Sequence, residues 1–145
     1  MRYDALALTL LLTSASSAAE PEHDVLRIEN ICIMKLPGVE YTRRSVADFT
    51  IVTAKEKRKI LFTLYVGTNP DMRGPNAGYL SREKYDTGRY QRVKLTSPQK
   101  GEILGIPKTK YENYYHLMVS TREPRYASIV NAVDFCASSN TSSAK

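Results

Sequence analysis

Hydrophobic positions along the chain fall into short runs whose period changes from one run to the next. The first, ALALTLLL at 5–12, is continuous and uncharged; Met1 and Arg2 precede it, and the small-residue stretch TSASSAA follows at 13–19. This is the layout of a cleavable secretory signal, and the apolar run is too short to span a bilayer. Cleavage is expected after Ala19, with Ser17 and Ala19 at the two recognition positions; Asp4, which offsets Arg2, is the one departure from the pattern. Residues 20–136 then read as a single domain behind a polar lead-in at 20–24. The final stretch, 137–145, reads as a disordered tail by composition, with a glycosylation sequon pattern at Asn140-Thr141-Ser142.

Within the domain, most runs alternate. VLRIENICIMKL at 25–36 places Leu26, Ile28, Cys32, Met34 and Leu36 on one face, with Asn30 interrupting, and predicts a strand stopped by Pro37-Gly38. A polar stretch containing Arg43 and Arg44 leads to DFTIVTA (48–54). The charged turn KEKRK (55–59) and ILFTLYV (60–66) complete a hairpin. Its second strand is apolar on both faces, as a central strand would be. A loop at 67–78 carries three glycines and two prolines, a composition and length that suit either a functional loop or a crossover. Strands are expected at 102–107 and 114–120, after a hairpin at 79–96 and a turn at 97–101. Tyr126, Ile129, Val130 and Val133 recur at helical spacing behind start signals at 121–124, and Phe135 falls off that stripe, against a sheet edge. The predicted fold class is α+β: a twisted, mainly antiparallel β-sheet with a C-terminal helix packed on one face. A β-sandwich with a terminal helix is the alternative.

Composition adds two constraints. Without the leader the chain is close to the ~100–150-residue mode of single domains and long enough to bury a core. The two cysteines, Cys32 and Cys136, form an even pair in an exported chain and are expected to be a disulfide stapling the helix to the first strand. Net charge is +6, which favours encounter with anionic partners without specifying one.

Chemistry is harder to find. His23 lies in the lead-in, and His116 sits mid-strand beside Tyr114 and Met118 with no general-base partner evident in the sequence. There is no nucleophile elbow, phosphate loop, zinc spacing or calcium loop, so neither metal nor cofactor is implied and a non-enzymatic role is expected. In plan, a small exported domain with one disulfide and much surface charge resembles envelope proteins that bind another protein, such as enzyme inhibitors and toxin-neutralising immunity proteins; no residue carries over from that likeness. The expected partner is another protein, met by the long loop and the adjacent hairpin. Candidate binding residues are Met72 and Arg73 in the loop and Arg82, Lys84, Arg89, Tyr90 and Arg92 in the hairpin, because Tyr and Arg dominate binding hot spots. Binding of an anionic polymer or membrane surface through the basic hairpin is the alternative, and hydrolysis of an envelope polymer a third.

The hairpin YLSREKYDTGRYQRVKLT at 79–96 sharpens the question, because loop length fixes which side chains meet. A three-residue loop at 86–88 opposes Arg82 to Arg92, a repulsion that an anionic partner would relieve. A four-residue loop at 86–89 instead pairs Tyr85 with Tyr90 and Glu83 with Arg92. Both pairs are favourable without a ligand, so the second register is expected.

Overall fold

Two antiparallel sheets and one short helix build the domain. The computed structural model describes residues 24–68 and 81–137. The expected leader, His23, the loop centre with Met72 and Arg73, and the tail from 138 onward with its sequon lie outside the described residues. In chain order the strands are β1 (Val25–Ile28), β2 (Ile31–Met34), β3 (Glu40–Val46), β4 (Phe49–Glu56), β5 (Lys59–Gly67), β6 (Ser81–Asp86), β7 (Tyr90–Thr96), β8 (Lys100–Pro107) and β9 (Tyr114–Ser120). Helix α1 (Tyr126–Ala132) and strand β10 (Val133–Phe135) follow. The larger sheet has seven strands in the order β3-β4-β5-β9-β8-β7-β6, and the smaller has three, β1-β2-β10.

The expected hairpin around KEKRK is β4–β5, and β5 is central, between β4 and β9. Its alternation is visible in burial. Phe62, Leu64 and Val66 are sealed in the core, while Thr63 and Tyr65 between them are half-buried. Val52 and Ala54 of β4 and Leu117 and Val119 of β9 extend the same face. Ile28, Ile31 and Ile33 of the smaller sheet and Ile129 of α1 join this one cluster. Each of the larger of these side chains contributes about 1.5–3 kcal/mol by leaving water. Helix α1 spans seven residues, with no side-chain cap and no acidic residue in its first turn. So short a helix is held by packing rather than by propensity, here through Ile129 and Ala132.

Four expectations need correction. Residues 25–36 form two strands, because Glu29 adopts a positive φ of 53° and turns the chain after Ile28. The turn reverses the face parity, so Ile31 and Ile33 are buried and Met34 is exposed. Asn30 locks it: its side chain donates to Asn113 O (3.1 Å) and accepts from Asn113 N (3.2 Å), and its carbonyl accepts from Cys136 N (2.8 Å). The polar stretch with Arg43 and Arg44 is an edge strand, β3, whose outward residues conceal its pairing with β4. Val133 is not helical. The chain extends there and Val133–Phe135 joins β2, so the Cys32–Cys136 disulfide (Cα–Cα 4.9 Å) bolts the residue after β10 to β2 rather than tying down the helix.

The fourth correction is the register of the 79–96 hairpin, which is neither of the two considered. Tyr85 faces Arg92, Glu83 faces Lys94 and Arg82 faces Leu95. The loop is only Gly88-Arg89. Thr87 N donates to Tyr90 O (3.0 Å), the Thr87 hydroxyl accepts from Tyr90 N (3.4 Å), and Gly88 takes φ +79°. Asp86 and Thr87 have the composition of turn residues yet stay at the ladder's end. Asp86 instead accepts from Gly88 N (2.8 Å) and pairs with Lys108 (2.7 Å).

Candidate functional site: a cleft between the outer hairpin and the helix

The corrected register assembles a cleft of about 330 Å³ between the outer strands of the larger sheet and α1. Two cross-strand rows lie on the sheet face of the cleft, and Tyr85, Arg92, Lys94 and Ile103 of these rows line it. One row is Tyr85, Arg92 and Gly105; the next is Glu83, Lys94 and Ile103. Val130 and Asn131 of α1 form the opposite wall, and Tyr90 and Thr87 close the end near the hairpin loop.

Two glycines of β8 decide how these rows pack. Glycine inside a strand often marks a close approach. A Cβ at Gly105 would overlap the Tyr115 ring, and one at Gly101 would overlap the Tyr126 ring and hydroxyl. Each tyrosine lies over the strand where a side chain is missing, and each meets one cation of the cleft. Arg92 Nε donates to the Tyr115 hydroxyl (3.1 Å), and Lys94 Nζ stands 5.9 Å from the Tyr126 ring centroid. Arg92 is fixed further by Nη2, which donates to Val133 O (3.2 Å) and pairs with Asp134 (3.2 Å). The Phe135 ring, 4.4 Å from Tyr90 and 5.4 Å from Tyr115 by centroid, packs the site from below.

The tyrosines of the site stay protonated through the neutral range. Burial pushes Tyr115 up strongly, and burial also raises Tyr126 and Tyr90, the latter helped by its hydrogen bond to Asp134. Tyr85 is raised by its short hydrogen bond to Glu83. The cleft therefore offers hydroxyl and cationic donors facing the apolar Val130 wall, with Ile103 sealed beneath, a composition suited to holding a ligand.

Of the residues singled out from sequence, Tyr90 and Arg92 line this cleft. Arg82 and Lys84 lie on the same hairpin but face the other side of the sheet, opposite Leu95 and Val93. Arg89 is engaged in the fold: Nη1 donates to Cys136 O (3.3 Å), Nη2 is 3.7 Å from Glu112, and the Arg89 carbonyl accepts from Lys108 N. Sequence reasoning missed Tyr85 and Lys94 because their placement depends on register. The signal for it was present in GEILG at 101–105, two glycines four apart on one face of a strand. His116 is on the far face, 3.7 Å from Glu102, a buried carboxylate that also pairs with Lys100 at 2.5 Å. No family model, no curated protein and no solved structure matches this chain.

Proposed function

We propose that this chain is an exported, non-enzymatic binding protein whose partner is another protein, comparable in plan to an inhibitor or immunity protein. The observation that carries the reading is the cleft: two tyrosines, an arginine and a lysine converge beside an exposed sheet edge. Strand β6 is exposed at every residue and, among the described residues, pairs only with β7. An extended segment of a partner can add to such an edge while its side chains enter the neighbouring cleft. Tyr and Arg held by buried neighbours lose little entropy on binding, and such residues supply most interface energy. The leader-like 1–19 and the paired cysteines support an exported location.

Affinity capture tests this. The oxidised chain lacking residues 1–19 is immobilised and offered the envelope fraction of its own cells, with washes at low and moderate salt. A stoichiometric protein that survives the moderate wash is expected. Recovery of polymer or lipid alone, lost as salt rises from about 50 to 200 mM, would replace this reading by polyanion binding.

A further inference from the structure

The cleft has a surplus of hydrogen-bond donors at one place. Asp134, the carboxylate beside Arg92, already accepts from Phe135 N (2.8 Å) and from the Tyr90 hydroxyl. Glu83, the carboxylate facing Lys94, is engaged by the Tyr85 hydroxyl. Lys94 is left with Glu83 at 4.0 Å, beyond hydrogen-bond range, and the face of Tyr126. The Lys94 side chain is 30 % exposed, and no acceptor closer than Glu83 meets its ammonium among the described residues; Arg92 Nη1 likewise makes no bond there while Nε and Nη2 do. These donors share the cleft with Val130, Tyr85 and Tyr90, while Ile103 lies beneath it with no exposed surface. Apolar and aromatic lining beside two ion-paired cations that keep spare donors suits a group that is apolar at one end and carboxylate at the other. The volume, at the low end of the ~300–1,000 Å³ range of ligand sites, fits one amino-acid residue rather than a cofactor.

We infer that this cleft captures the free C-terminal residue of a polypeptide partner. An apolar side chain rests against Val130 and the cleft tyrosines, the carboxylate sits between Lys94 and Arg92, and the preceding residues run along β6. Terminal-carboxylate capture beside an exposed strand is an established mode of peptide recognition. This inference rests on the protein-binding reading above and deepens it.

The probes are N-acetyl-L-phenylalanine, its α-amide, and N-acetyl-L-aspartic acid α-amide as a mimic of an internal acidic residue. Backbone amide spectra of the oxidised protein are recorded during each titration. The acid is expected to give saturable shifts confined to 83–94, 103–105 and 130–134. The phenylalanine amide and the aspartate derivative should bind at least about tenfold more weakly, the worth of one charge-assisted contact. Lys94→Met, which keeps the aliphatic stem, should lower affinity for the acid by about the same factor and leave the amide unchanged. Equal binding of acid and amide overturns the inference, as does preference for the aspartate derivative or no binding by any probe. If a partner is still captured in those cases, the protein-binding reading survives without a terminal carboxylate. If the acid binds as expected but no protein is captured, that broader reading is the one that fails.

Discussion

At the scale of single residues, the site depends on two absent side chains. Gly101 and Gly105 leave room for Tyr126 and Tyr115, and those rings orient Lys94 and Arg92. Adding a methyl group at position 105 forces a buried ring off its rotamer. Gly105→Ala is expected to cost about 1–3 kcal/mol by overpacking, read as a lower urea midpoint, and to release the Arg92–Tyr115 bond. Gly88→Ala is a useful contrast. Nothing lies within 4 Å of a Cβ there, so only the φ of +79° matters, and the cost should stay near 1–2 kcal/mol with the cleft unchanged in structure. A Gly105→Ala variant as stable as wild type would show that Tyr115 does not need the strand's bare backbone. This level of detail was only partly legible in the sequence. The Cys32–Cys136 pairing was legible from the cysteine count together with the expected export. The partners of Arg92 did not, because Asp86, Thr87 and Gly88 are all turn formers and nothing local says which of them leave the ladder.

At the scale of elements, the turn between β9 and α1 is clamped by one carboxylate. Glu123 is buried, its side chain 4 % exposed. It accepts from Lys59 Nζ (2.5 Å) at the start of β5 and from Arg125 N (3.4 Å) at the start of α1. The Lys59 hydrogen bond is the largest cause holding the Glu123 carboxyl below its ordinary value, against the opposing effect of burial. Asp86 is likewise held down, by Lys108 and then by Gly88 N. Groups with a depressed folded pKa add stability that is present above their unfolded value and lost as pH falls through the folded one. The domain should therefore lose stability between about pH 5 and pH 3. Glu123→Gln should cost about 1–3 kcal/mol at pH 7 and reduce the acid-limb loss; Lys59 keeps its head in water, which argues for the lower half of that range. Denaturant midpoints at several pH values measure both, and parallel pH profiles for variant and wild type would refute the clamp. Element identity was well legible where one face is buried. The alternation over 114–120 predicts β9 with its observed bounds, whereas 133–135 looks helical in sequence because Val133 continues the spacing of Ile129 and Val130. What decides its state is the free edge of β2, a partner 100 residues earlier in sequence.

At the scale of the molecule, the last described strand closes back on the first two. Strand β10 completes the smaller sheet, and the disulfide joins residues 104 apart in sequence. Loop-closure entropy makes this cross-link worth ~4–5 kcal/mol, and a domain of this size should lose on the order of 15 °C in Tm on reduction. Reduction should also weaken ligand binding, because Arg92 leans on Val133 O and Arg89 on Cys136 O. Scanning calorimetry with and without reductant reads the first effect, and an unchanged Tm would contradict it. The mainly antiparallel character and the C-terminal helix were legible from alternating runs. The division into two sheets was not, since it depends on the turn at Glu29-Asn30 and on β10, both set by long-range partners.

The central claim is that a protein partner is met at the cleft edge by the outer hairpin. Site-specific photocrosslinking in the protein's own cells tests it most directly. A photoreactive phenylalanine derivative replaces Tyr85 at the cleft mouth or, as control, Arg44 on the opposite edge strand. The account predicts one discrete crosslinked protein from position 85 and none from position 44. No adduct at 85, or equal adducts at both positions, would contradict it.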